Sequence, residues 1–141
     1  MKYELAATTF VYKGGHFAIH WHQKVGKWLP PGGHVEDDEL PHHAAVREVF
    51  EELGVPCKLA IGNQPDLGID TVPLPIAILV EDIDQFHKHV DMIYVATTEK
   101  ETINEEFSWV TVDQAQAMGA PVDVVRLAKM GLEIVSTSVL P

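Results

Sequence analysis

Glu48, Glu51 and Glu52 stand at i, i+3 and i+4, a spacing that puts three carboxylates on one face of a helix. Unpaired carboxylates so placed repel. The segment closes at Gly54, so the three also sit near a helix C-terminus, where the dipole disfavours negative charge. Each mismatch costs a few tenths to about 1 kcal/mol, which selection for folding alone would avoid. A bound divalent cation removes the cost, because hard ions such as Mg²⁺ are held by carboxylate oxygens. Arg47 adjoins the three, and Glu39 lies eight residues before it. Carboxylates, a cation and a guanidinium together are suited to chemistry at a phosphate.

Those side chains need a helix to align them, and the punctuation for one is present. Pro41 suits the first helical position, Asp37, Asp38 and Glu39 favour the positive N-terminal end, and Gly54 suits the position after the last turn. Ala45, Val46, Val49, Phe50 and Leu53 are expected to form its core-facing stripe, leaving the glutamates to face solvent or a site. Upstream, residues 3–12 have strand-like composition. His16 to His22 alternates as a half-buried strand, with Phe17, Ile19 and Trp21 on one face and His16, Ala18, His20 and His22 on the other. Lys24 to Lys27 reads as a turn around Gly26, and Pro30-Pro31-Gly32-Gly33 is expected to stop any regular element.

Downstream, a strand is expected over Pro56 to Ile61 and a loop over residues 62–74. Strands at Pro75 to Val80 and Val90 to Thr97 are joined as a hairpin through Glu81 to Lys88, and a further strand covers Phe107 to Val112. A short helix over Asp113 to Met118 precedes an amphipathic one over Val122 to Ser136. The latter turns Val125, Ala128, Leu132 and Val135 inward and Asp123, Arg126 and Lys129 outward. The order predicts a mixed sheet covered by helices in one domain over residues 1–141.

Composition narrows the function classes. A formal charge of −11 with ten Lys and Arg in all argues against a nucleic-acid polymer as partner, which calls for a basic patch. A small phosphorylated ligand stays compatible if metal ions bridge it to the protein. Cys57 is the single cysteine, which excludes an internal disulfide and a zinc–thiolate cage. No run approaches the roughly 20 apolar residues of a membrane span, and the N-terminus lacks a secretory pattern. A cytoplasmic location and no membrane association are expected. Among oligomers a homodimer is the commonest outcome.

The segment from Gly33 to Val55 resembles the Nudix hydrolase signature. Gly33, Glu39, Arg47, Glu48, Val49, Glu51, Glu52, Gly54 and Val55 fill every defined place of that box, a chance match on the order of one in 10⁹ at ordinary residue usage. The resemblance implies an α/β (α+β) fold of the Nudix type, an α/β/α sandwich with a mixed β-sheet flanked by helices. It implies a Mg²⁺- or Mn²⁺-dependent hydrolase cleaving the pyrophosphate linkage of a nucleoside diphosphate derivative. Nucleoside triphosphates including oxidised ones, ADP-ribose and other nucleotide sugars, and dinucleoside polyphosphates are all substrates within such a family. The absence of an extra domain favours a small nucleotide.

Carried over residue by residue, Glu48, Glu51 and Glu52 resemble the metal-binding glutamates, with the carbonyl of Gly32 or Gly33 completing the shell. Arg47 resembles the arginine that orients a catalytic glutamate, and Glu39 the early glutamate that supports the loop, an outer metal shell or bound substrate. The base lies in the box, at Glu48 or Glu52, or in a late loop, which makes Glu105 and Glu106 candidates as base or distal ligand. The set His16, His20 and His22 and the set His87, His89 and Asp91 are each expected to share a strand face, and either can line a substrate cleft. Trp21, Trp28 and Tyr94 are aromatic faces on which a base can stack. His89 and Tyr94, with Gly32 and Glu39, are the expected substrate contacts. The competing readings are a non-catalytic nucleotide-sensing domain using the same pocket, and a helix binding Ca²⁺ structurally.

Overall fold

The computed structural model describes residues 1–137; the last four positions of the span expected as one domain, 138–141, lie outside them. The strands are β1 (Lys2–Lys13), β2 (His16–His22), β3 (Lys27–Leu29), β4 (Gly32–His34), β5 (Lys58–Leu59), β6 (Ala77–Asp84), β7 (His87–Thr97) and β8 (Phe107–Val110). The helices are α1 (Pro41–Leu53), α2 (Val112–Ala117) and α3 (Val122–Thr137). The sheet runs β3-β2-β1-β7-β5, with β4 on β1, β6 on β7 and β8 on β2. It is mixed, because β1 and β7 pair in parallel from Lys2–His87 to Tyr12–Thr97 while their other partners are antiparallel.

Helices cover both faces. On one, α1 packs Ala44, Ala45, Val49 and Leu53 against Ala7, Val11, Tyr94 and Ala96. On the other, Phe10, Tyr12, Phe17, Ile19, Ile93 and Val95 meet Ala115 of α2 and Val124, Val125, Leu127 and Ala128 of α3. This is the expected sandwich of a mixed sheet and flanking helices. Double coverage also corrects the half-buried reading of β2: Phe17, Ala18 and Ile19 are all fully buried, and only Trp21 at its end is 44% exposed. Centrally placed strands covered on both faces lose their alternation, which is why β1 alternates poorly.

The Pro-Pro-Gly-Gly run ends β3 at Leu29 as expected, but its two glycines begin β4 instead of staying irregular. β1 and β2 pair only beside their turn, at Tyr12–Phe17 and Lys13–His16, and then part. β3 stays with β2 and β4 fills the gap against β1, pairing Thr8 with Gly32, Ala7 with Gly33 and Ala6 with His34. Thr9 N–H donates to the Pro31 carbonyl between them. Each proline lacks a donor, but neighbouring backbone groups complete the ladder.

Helix α1 starts at Pro41 and ends at Gly54, whose φ of 75° and N–H to the Phe50 carbonyl form a left-handed cap. Asp37, Asp38 and Glu39 precede the N-cap residue Leu40 rather than entering the first turn. The expected core stripe is narrower than five residues, since Val46 is 36% and Phe50 60% exposed. Ala44 and Pro41 take their place in the buried stripe, because a sheet contacts one narrow helical face and residues one step away, about 100° round, fall outside it. Elsewhere the strand expected over 56–61 shrinks to Lys58–Leu59, and the 77–97 hairpin closes with its turn at Gln85 and Phe86, so most of 81–88 is strand. Val112 begins α2 instead of ending β8, because Thr111 and Gln114 form a reciprocal capping box.

Candidate functional site

Glu48 and Glu52 of α1 face β4, the strand that fills the gap where β1 and β2 part. Gly32 N–H donates to Glu52 Oε2 at 2.8 Å. Gly33 lies against Glu48: a Cβ on residue 33 would stand 2.5 Å from Glu48 Oε1 and 2.6 Å from its Cδ. Glycine serves close approach at both positions: a side chain at 33 would fill the space against Glu48 of α1, and one at 32 would meet Ala7 and Thr8 of β1.

Arg47 holds the loop and helix together. Its Nε and Nη2 donate to the two oxygens of Glu39 at 2.7 and 2.9 Å. Nη1 donates to Glu48 Oε1 at 2.8 Å and Glu51 Oε2 at 3.1 Å, and Nη2 also reaches the His34 carbonyl at 3.0 Å. The planar guanidinium suits this fork–fork contact. Arg47 bonding holds the Glu39 carboxyl below the usual carboxylate range. The same bonds with Glu39 hold the guanidinium firmly protonated. Both oxygens of Glu39 accept from Arg47, and the pair braces the loop against the helix.

Glu52 is the electrostatic exception. Burial is the largest cause pushing its carboxyl up, to about 7, with the charges of Glu48 and Glu51 adding to it and the Gly32 N–H opposing. A cation beside it would relieve that penalty. Among the described residues no three His, Cys, Asp or Glu side chains are gathered into a ready-made ion cage. On α1 the reason is visible, since one Arg47 nitrogen draws off both Glu48 and Glu51. The donor chemistry nonetheless fits a hard divalent ion: carboxylates and glycine carbonyls, all oxygen.

The remaining candidates disperse. Glu105 and Glu106 are exposed on a loop docked on the end of α1 by the Asn104 N–H to the Leu53 carbonyl, 2.9 Å. Neither side chain pairs with the glutamates of α1, and Glu106 acts on His20 across the sheet. Tyr94 is corrected as a stacking platform: it is 2% exposed beneath Ala44 and Ala45, with its hydroxyl donating to the Pro73 carbonyl. His89 is half-buried, and its Nε2 lies 3.0 Å from His34 Nε2, which is 3.3 Å from Glu4 Oε2. Trp21 and Trp28 meet edge to face at 5.4 Å near the outer edge of the sheet.

Sequence reasoning placed Asp91 on a candidate cleft face with His87 and His89 but missed Thr8 and Glu81 as its partners. Thr8 Oγ1 donates to Asp91 Oδ2 at 2.8 Å across the β1–β7 pair, directly behind Gly32. The signal available was two acids, Glu81 and Asp91, on inward-facing positions of adjoining strands. Recognising it needs the register of three strands.

A family model of the NUDIX domain matches residues 2–129. Diphosphoinositol polyphosphate phosphohydrolase 3-beta of Bos taurus is 56% identical over 39 residues, 26% of this chain and 24% of that protein. The 3-alpha protein of Mus musculus is 58% identical over 33 residues, covering 23% of this chain and 20% of its own. These alignments span at most about a quarter of the curated relatives' length. Among solved structures, a NUDIX-family hydrolase from Clostridium perfringens superposes with a TM-score of 0.83 at 24% identity, over 96% of this chain and 99% of that one. A C. elegans Ap4A hydrolase gives 0.64 at 18% identity over 99% and 100%.

Proposed function

The chain belongs to the NUDIX family, and on that premise we propose that it is a divalent-metal-dependent pyrophosphohydrolase of a small nucleoside diphosphate derivative. The observation that carries the proposal is the convergence of Glu48 and Glu52 on the Gly32–Gly33 strand, with Arg47 bonded to Glu39, Glu48 and Glu51.

Mg²⁺ or Mn²⁺ would be held by Glu48, Glu51, Glu52 and the Gly33 carbonyl, and when bound supplies charge neutralisation and acidifies water. The chain's own residues do the rest. Arg47 fixes the carboxylates of Glu48 and Glu51 and keeps the loop closed. Gly32 N–H orients Glu52, the first candidate in the box to take a proton from the attacking water. Glu105, on the loop docked at the end of α1, is the second candidate base. Water attacks one phosphorus, the bridging oxygen leaves with its phosphate, and a nucleoside monophosphate is released.

Ap4A and diphosphoinositol polyphosphates are named for the relatives. A densely phosphorylated inositol needs several cationic side chains to meet its charge, and this chain carries −11 overall with ten Lys and Arg, Arg47 among them already committed. A nucleotide, with fewer phosphates and a neutral base, fits better. Incubation of the Mg²⁺-loaded protein with nucleoside triphosphates, ADP-ribose, Ap4A and a diphosphoinositol polyphosphate tests this by monophosphate or phosphate release. Turnover confined to nucleotides, and lost in Glu48→Gln and Glu52→Gln, is the expected outcome. Retention of more than about a tenth of the activity in both variants would sink the assignment, since losing a ligand or base costs orders of magnitude.

A further inference from the structure

On the α3 side of the sheet a second set of acids is buried. Glu81 of β6 and Asp91 of β7 are diagonal neighbours, since Glu81 stands opposite His89 and Leu79 opposite Asp91, within reach of each other on one face. Asp91 is 4% exposed. Its Oδ2 accepts the Thr8 hydroxyl, whereas Oδ1, equally buried, has no donor from any ionised neighbour. The side chain facing it is another carboxyl, Glu81, and two carboxylates can bond only through a retained proton.

The surroundings agree. Burial, and after it the Asp91 charge, push Glu81 up to about 8, with Asp123 of α3 adding to this and His89 of β7 opposing it. Burial likewise raises Asp91, which Thr8 of β1 and Glu81 itself counter and Asp123 reinforces. The pair therefore keeps a proton at neutral pH, beside the one buried oxygen of Asp91 that no other donor meets.

This acceptor cluster is aligned with the reaction site. Thr8 pairs in register with Gly32, and the two approach so closely that a Cβ on Gly32 would stand 2.7 Å from Thr8 Oγ1. From β7 across β1 to β4 is two strand spacings, about 10 Å. A ribose and its first phosphate bridge such a gap, and Gly32 N–H then leads to Glu52.

We propose that Glu81 and Asp91 form the base-recognition subsite and select a nucleobase edge with two adjacent N–H donors, as guanine presents at N1 and its 2-amino group. The proposal rests on the nucleotide-hydrolase reading above. In the free protein the retained proton occupies the position that the base N–H groups fill. Binding therefore releases it to solvent, with no bond made or broken in the base. Uracil offers one N–H between two carbonyl oxygens that would face carboxylate oxygens, and hypoxanthine lacks the 2-amino group.

Calorimetric titration of the Mg²⁺-loaded protein with GMP, IMP and UMP, in buffers of differing ionisation enthalpy, reads the subsite without turnover. GMP binds at least tenfold more tightly than IMP or UMP, and at pH 7 releases a substantial fraction of one proton. Glu81→Gln abolishes the proton release and narrows the preference to under threefold. Asp91→Asn does the same, and the half-buried Glu81 variant decides the matter if Asp91→Asn does not fold. Equal binding of the three nucleotides, absence of binding, or a GMP preference and proton release intact in Glu81→Gln overturns the proposal. A GMP preference without hydrolysis of any nucleotide keeps the subsite and removes the hydrolase reading. Hydrolysis without base preference does the reverse.

Discussion

Replacing Gly33 by alanine should separate the site from the fold. Neither Gly32 nor Gly33 has a positive φ, so alanine's backbone preferences are satisfied at both. At residue 33 the new Cβ would lie 2.5 Å from Glu48 Oε1, 2.6 Å from Cδ and 3.0 Å from Oε2. The obstacle is the end of a flexible side chain, so Glu48 swings aside and the strand stays. The fold then loses at most the Arg47–Glu48 pair, about 0.2–1 kcal/mol, against about 0.4–1 kcal/mol from a stiffer unfolded chain. Net stability stays within about 1 kcal/mol. Turnover should not survive, because a misplacement of about 1 Å costs on the order of 10²-fold in kcat.

Gly32→Ala is the control with the opposite structural cost. Its Cβ would meet the Ala7 carbonyl oxygen at 2.8 Å and Thr8 Cα at 3.1 Å, besides Thr8 Oγ1 at 2.7 Å. Backbone cannot swing aside, so β4 must part from β1 at about 1–3 kcal/mol, and the Gly32 bond to Glu52 goes with it. Urea unfolding followed by circular dichroism, with steady-state monophosphate release, distinguishes the two. A Gly33→Ala protein that keeps more than about a third of wild-type kcat, or that unfolds as readily as Gly32→Ala, refutes the reasoning.

Arg47→Lys should cost about 1–3 kcal/mol in urea unfolding and at least tenfold in kcat, because one ammonium cannot reproduce the fork that meets Glu39, Glu48, Glu51 and the His34 carbonyl. EDTA should abolish hydrolysis, and added Mg²⁺ or Mn²⁺ restore it; full activity after exhaustive chelation contradicts a metal-dependent reaction. The raised carboxyl of Glu81 gives a pH signature. The folded chain holds a proton between the ordinary 4.5 and about 8 that the unfolded chain gives up, so this group's contribution falls as pH rises through that window. Denaturation midpoints of wild type should drop from pH 5 to pH 8 by more than those of Glu81→Gln, and parallel profiles would exclude the effect.

Local rules made some of the structure legible. Pro41 and Gly54 bounded α1 because caps depend on the backbone within one turn. The α3 stripe was equally local: Val125 and Ala128 are buried and Asp123, Arg126 and Lys129 exposed. The misreadings came from partners remote in sequence. Val46 and Phe50 belong to a plausible apolar stripe until the width of the sheet contact is known. β4 looked like a loop because its ladder partner, residues 6–8 of β1, lies 24 to 28 residues away. Tyr94 looked available for stacking until α1 covered it.

The glutamates of α1 mark the same boundary. Their spacing, the arginine before them and the glycines around them are written in consecutive residues, and the 3.6-residue period suffices to place them on one side. That period does not determine which oxygen faces which neighbour. The splaying of β1 from β2, which seats Gly32 and Gly33 against Glu52 and Glu48, did so, and so did the folding back of Glu39 onto Arg47. The union of Thr8, Glu81 and Asp91 lies wholly on the tertiary side, because strand register joins residues 83 positions apart and nothing local to any of them encodes it.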